Sequence, residues 1–130
     1  MQEKIEKLRT LKLLFVEDEE DLIEIIADTL TKLNANFLTA CNGQEALQII
    51  DNNSDIDVII TDINMPIMNG LDMIKEIQKK GIKTPIIVMS AHTELDYLNK
   101  AKDLGVAEYL LKPFDFIKFI ELLTNLDIEK

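Results

Sequence analysis

The sequence predicts an α/β domain built on a doubly wound, five-stranded parallel sheet with helices on both faces. Three observations carry that expectation. Short apolar runs alternate with segments of helical period. The runs are apolar throughout rather than alternating, as in strands covered on both faces. Each run also ends in a polar group, which would gather those groups along one sheet edge.

Leu13 to Val16 is the first strand-like run. Leu22, Ile25, Ile26, Thr29, Leu30 and Leu33 follow at the spacing of one helix face. Asn36 to Cys41 is a weaker strand, with Cys41 read as a small core residue at its end, and Gln44 to Ile50 is a short helix. Val58-Ile59-Ile60 is β-branched and bounded by Asp and Asn, a strong strand signal. After the Met65-Pro66 loop, Leu71, Ile74 and Ile77 mark a helix that stops near Gly81. Pro85 to Met89 forms the next strand, and Thr93 is expected to cap a helix through Leu95, Leu98 and Ala101 that ends at Gly105. Tyr109 to Leu111 is the last strand, and Phe116 to Leu126 the last helix, with Ile117, Ile120 and Leu123 inward. Right-handed crossovers restrict the chain to a doubly wound topology. Residues 1–10 lie outside the pattern and read as a helical lead-in, a linker stub or a frayed end; the domain proper spans 11–127.

At 130 residues and 47% apolar content, the chain can bury one substantial core. It has no apolar run long enough for a membrane span and no signal-peptide pattern, so a cytoplasmic location is the expectation. One cysteine excludes an internal disulfide and fits a reducing compartment. A net charge of −10 repels nucleic acid and argues against direct binding to it.

The strand ends carry the chemistry. Glu17 and Asp18 follow Val16, Asp62 follows Thr61, Ser90 follows Met89, and Lys112 follows Leu111. Acids in a first helical turn are favoured by the helix dipole, which accounts for Glu19, Glu20 and Asp21. Asp18 also reads as an N-cap on that ground. Glu17 and Asp62 need another explanation. Two carboxylates about 5 Å apart repel by roughly 3 kcal/mol at an effective dielectric near 20. A third makes a neutral-pH site untenable without a proton or a cation, and Mg²⁺, a hard ion with oxygen ligands, fits.

Asp62, fixed by a buried strand, is the candidate nucleophile for a phosphoryl group, and Lys112 the cation that neutralises its oxygens. Glu17, Asp18 and Asp62 give −3 while Mg²⁺ and Lys112 give +3, so the resting site balances. Phosphorylation of Asp62 adds charge and calls for a further donor. Ser90, alone an unremarkable strand-end hydroxyl, is the one available. That imbalance is the physical basis of a switch.

Glu17-Asp18, Asp62-Ile63-Asn64-Met65-Pro66 with Gly70, Ser90-Ala91, and Tyr109 to Phe114 ending in Lys112-Pro113-Phe114 together resemble the receiver (CheY-like) domain of bacterial two-component response regulators. The motifs occur in order over residues 11–127. The resemblance implies a flavodoxin-like, CheY-like sheet of order 2-1-3-4-5. It implies that Asp62 takes a phosphoryl group from the phosphohistidine of a sensor histidine kinase or phosphotransfer protein. It further implies Mg²⁺ held by Asp18 directly, by Glu17 through water and by the Asn64 backbone carbonyl, with Asp62 completing the set. Lys112 would pair with phosphoryl oxygens, before a cis bond to Pro113. Ser90 and Tyr109 would be the switch pair, and the helix from Thr93, the strand at Tyr109 and the last helix the output face. A downstream protein or output domain is the implied partner, with dimerisation on phosphorylation among the expectations. No enzyme activity is expected beyond self-phosphorylation and autodephosphorylation of Asp62.

Glu17 stands where Asp is commoner, and Ser90 where Thr is. His92, the only histidine, lies two residues past Ser90 and is a candidate modulator of acyl-phosphate hydrolysis. A phosphatase of the haloacid dehalogenase type needs a second acid two residues after its nucleophile, where this chain has Asn64. A flavodoxin-like electron carrier needs a phosphate-binding first loop, which Glu17 to Asp21 would repel. A stand-alone regulator and a receiver cut from a larger regulator or hybrid kinase both remain open.

Overall fold

The computed structural model describes residues 2–91, 95–112 and 115–126. A helix, α1 (Gln2–Arg9), precedes five strand-helix pairs. These are β1 (Lys12–Val16) with α2 (Glu20–Lys32), β2 (Asn36–Ala40) with α3 (Gly43–Asn52), and β3 (Val58–Asp62) with α4 (Gly70–Lys79). Then come β4 (Ile86–Ala91) with α5 (Leu95–Asp103) and β5 (Glu108–Lys112) with α6 (Phe116–Asn125). The strands form one parallel sheet in the order β2-β1-β3-β4-β5.

Alternate strand residues point to opposite faces, so each strand feeds two cores. Leu14, Val16, Ile59 and Val88 pack with Ala46 of α3, Met73, Ile74 and Ile77 of α4, and Ala101 of α5. Leu13, Phe15, Val58, Ile60, Ile87, Met89 and Leu110 pack with Ile26 and Leu30 of α2 and Phe119, Ile120 and Leu123 of α6. Among the described residues three helices are started by side-chain caps: Asn42 accepts from Glu45 N–H, Asn69 from Asp72 N–H and Asp115 from Lys118 N–H. Glu19, not Asp18, occupies the N-cap position of α2, and it makes no side-chain cap.

Several residues sit elsewhere than the periodicity suggests. Ile25 is 59% exposed, because it lies about 100° round the helix from Ile26 and off the stripe of Leu22, Ile26 and Leu30. Ile117 is likewise exposed, while Phe116, Phe119, Ile120 and Leu123 form the inward face of α6. The Phe119 ring lies against both Phe15 and Phe116, with centroids 6.2 and 5.2 Å away. Cys41 is exposed rather than in the core; its thiol donates to Glu45 at 3.0 Å. The cap at Thr93 and the Pro113 bond lie outside the described residues.

Of the three readings of residues 1–10, the structure has a helix. Leu8 of α1 is fully buried in the α2-α6 core. Polar ties hold the helix on either side: Lys4 pairs with Glu121 at 3.5 Å, the Lys7 ammonium donates to the Thr124 carbonyl, and Arg9 Nε donates to the Leu33 carbonyl at 2.8 Å. The low apolar content of this segment hid it, since one leucine supplies the buried contact.

Candidate functional site

The C-terminal ends of β1, β3, β4 and β5 lie side by side along one edge. Asp62 pairs in register with Met89, the residue before Ser90, and Ala91 pairs with Lys112. The sheet thus brings the strand-end groups into one neighbourhood from distant parts of the chain.

Carboxylate oxygens of Glu17, Asp18 and Asp62 lie within 4.8 Å of one another. Lys112 Nζ bridges two of them, donating to Glu17 Oε1 at 3.0 Å and to Asp62 Oδ2 at 3.2 Å. Asp62 Oδ1 accepts from the Ile63 backbone N–H at 2.8 Å, which fixes the carboxylate plane. Glu17 is completely buried, Asp62 nearly so, and Asp18 exposed, so the cluster opens to solvent on the Asp18 side. Glu17 Oε2 is buried without a hydrogen-bond partner among the described residues. A buried carboxylate oxygen in that condition needs a proton or a cation. The three-carboxylate, all-oxygen donor set beside it fits a hard divalent ion such as Mg²⁺.

Burial, followed by the Asp62 charge, pushes the Glu17 carboxyl up to about 8, against the hydrogen bond from Lys112. For Lys112 burial works to lower the ammonium, but its bonds to Glu17 and the charges of Asp62 and Glu17 outweigh it and raise it. The folded chain therefore holds a proton on Glu17 that the unfolded chain releases above about pH 4.5. This contribution to stability is complete below about pH 4.5 and is lost as pH rises through about 8. In EDTA, the thermal midpoint of Glu17→Gln should fall less steeply than that of wild type between pH 5 and pH 8.5, roughly the window of the shift. Parallel profiles for the two proteins would contradict the assigned cause.

Ser90 is fully buried on β4, and Tyr109 is half-buried on β5 among the apolar residues facing α4 and α5. Lys102 Nζ lies 5.2 Å from the centre of the Tyr109 ring. Asn64 is exposed two residues after Asp62, in the loop that leads to α4. His92 lies outside the described residues.

Two features here escaped the sequence reading. The Glu17-Lys112 hydrogen bond spans 95 positions, and only the strand order brings it together. Gly70 packs so closely that a Cβ there would stand 2.2 Å from the Asp62 carbonyl oxygen. Its N–H also donates to the Ile63 carbonyl at 2.8 Å. Ile67 in the same loop has φ 68° and is 77% exposed, a strained conformation for a β-branched residue. A cavity of about 580 Å³ lies at the opposite edge, between the entries to β4 and β5.

Comparison with known proteins agrees with this geometry. The family model for the response regulator receiver domain matches residues 13–124. Response regulator SaeR of Staphylococcus aureus is 32% identical over 114 residues, covering 88% of this chain and 49% of the relative. The chain thus spans about half the length of such curated relatives. A response regulator receiver domain protein from Clostridium thermocellum superposes with a TM-score of 0.82 at 33% identity, over 88% of this chain and 92% of that one. Chemotaxis protein CheY4 of Vibrio cholerae superposes with a TM-score of 0.79 at 30% identity, over 87% and 95%. The sheet order, the acidic strand ends and these matches converge: the chain belongs to the receiver-domain family of two-component response regulators, whose general role is that of a phosphorylation switch.

Proposed function

We propose that this domain accepts a phosphoryl group on Asp62 from the phosphohistidine of a sensor kinase or phosphotransfer protein, with Mg²⁺ bound. The observation that carries the reading is Lys112 Nζ bridging Glu17 and Asp62 within an all-carboxylate cluster open to solvent at Asp18. An Asp62 carboxylate oxygen forms the new P–O bond as the P–N bond of the donor histidine breaks, and the imidazole leaves with the electron pair. Lys112 turns from Asp62 Oδ2 toward the incoming phosphoryl oxygens, and the Ile63 N–H keeps the carboxylate oriented. Asp18, Glu17, Asp62 and the Asn64 carbonyl would hold the ion, which supplies charge neutralisation at the phosphoryl oxygens.

The phosphorylated side chain carries one more negative charge than aspartate. Ser90, one strand over, donates to it, and Tyr109 follows Ser90 inward to change the surface of α5, β5 and α6. That surface would meet a downstream protein, an output domain or a second copy. His92 would modulate hydrolysis of the acyl phosphate, and the switch would operate in the cytoplasm. Acetyl phosphate with Mg²⁺ should add one base-labile phosphate by intact mass, and EDTA should abolish the gain. Uptake undiminished by EDTA would remove the ion from the account.

A further inference from the structure

Packing does not explain why the residue before Asp62 is polar. Thr61 is completely buried, and its register partners are Val16 on β1 and Val88 on β4, both fully buried as well. Residues in register share a sheet face, so the Thr61 side chain stands between two valines in the core toward α3 and α4. A third valine would fill that place equally well by shape. It would also bring no hydroxyl to be taken out of water.

The hydroxyl donates to the carbonyl oxygen of Asp62 at 2.8 Å. That carbonyl and the Ile63 N–H belong to one peptide unit, which is planar. The Ile63 N–H in turn donates to Asp62 Oδ1 at 2.8 Å, while Oδ2 accepts from Lys112. One rigid plane is therefore held at its oxygen by Thr61 and aims its hydrogen at the carboxylate. Gly70 closes on the same oxygen from α4, so near that a Cβ would stand 2.2 Å away. A donor on the carbonyl also polarises the peptide, which strengthens the N–H at its other end.

We propose that Thr61 is a positioning residue for phosphoryl transfer, its hydroxyl setting the Asp62-Ile63 peptide plane whose N–H holds the Asp62 carboxylate in line for attack. The inference rests on the reading of Asp62 as phosphoacceptor. A methyl group comes no nearer to a carbonyl oxygen than about 3.3 Å, so in Thr61→Val the plane turns. Its N–H then leaves the line to Oδ1. Attack depends on the alignment of the reacting atoms, so a displacement of that size is felt in the rate.

The test compares variants of the full chain by two measurements. One is uptake from acetyl phosphate with Mg²⁺, followed by intact mass; the other is the Ile63 amide in amide-resolved NMR spectra of the unphosphorylated protein. Thr61→Val should take up phosphate about tenfold more slowly, the scale of effect that a small misalignment has. Its Ile63 amide proton should move upfield and exchange faster with solvent. Thr61→Ser keeps the hydroxyl and should match wild type in both measurements. Thr124→Val removes another buried hydroxyl, bonded to the Ile120 carbonyl on α6, and should also match wild type. A wild-type rate in Thr61→Val, an unmoved Ile63 amide, or Thr61→Ser as slow as Thr61→Val would each overturn the proposal. Wild type that takes up no phosphate would instead overturn the phosphoacceptor reading, while the amide still reports whether Thr61 sets the plane.

Discussion

Gly70→Ala should lower stability by about 3 kcal/mol or more, at the upper end of what overpacking costs. The added Cβ would stand 2.2 Å from the Asp62 carbonyl oxygen and 3.1 Å from the Ile63 Cα. Both obstacles are backbone, so no side-chain rotation relieves them. Either α4 slides away from the sheet or the end of β3 shifts, and each breaks the Gly70 N–H bond to the Ile63 carbonyl. Gly81→Ala is the control, since Gly81 has φ 74° and open space around it. That change meets only the left-handed backbone penalty, on the order of 1 kcal/mol. Urea midpoints of the two variants measure the difference; an equal loss would mean the approach of α4 to Asp62 is looser than described.

Lys112→Ala should slow phosphoryl uptake from acetyl phosphate by about 100-fold or more, the usual effect of losing one charged donor at a transition state. Mg²⁺ affinity should move the other way. Lys112 donates to Glu17 and Asp62 at 3.0 and 3.2 Å, so without it a divalent ion meets no competing cation. Isothermal titration with Mg²⁺ and an uptake time course separate the two effects. Loss of metal binding together with uptake would assign Lys112 a structural role instead.

The sheet was legible in the sequence because both-face burial writes itself as uninterrupted apolar runs, as in Leu13 to Val16 and Val58 to Ile60. Its order came from resemblance, because nothing local to β2 says that it pairs with β1 at the edge. Helix faces were legible to within one position: Ile25 and Ile117 fit the spacing yet fall about 100° off the buried stripe, where only the partner surface decides. Helix α1 is not legible in the sequence because its single buried residue, Leu8, makes no periodic signal.

The site shows the same division. Polar residues after apolar runs marked Glu17, Asp18, Asp62 and Lys112, and the parallel sheet places them within reach of one another. The strength of their coupling was not legible. Complete burial of Glu17 and its bond to a lysine 95 residues away depend on strand order and on the length of one side chain. Gly70 was visible as part of a motif, but its reason, contact with the backbone of Asp62, appears only in three dimensions.

Borohydride reduction of the protein after exposure to acetyl phosphate and Mg²⁺, followed by peptide mass mapping, tests the central assignment most directly. An acyl phosphate on aspartate is reduced to homoserine, so the modified position is read from the sequence. The account predicts homoserine at position 62 in wild type and none in Asp62→Asn. Reduction at Asp18 or Glu17 instead, or equal phosphate uptake by Asp62→Asn, would contradict it.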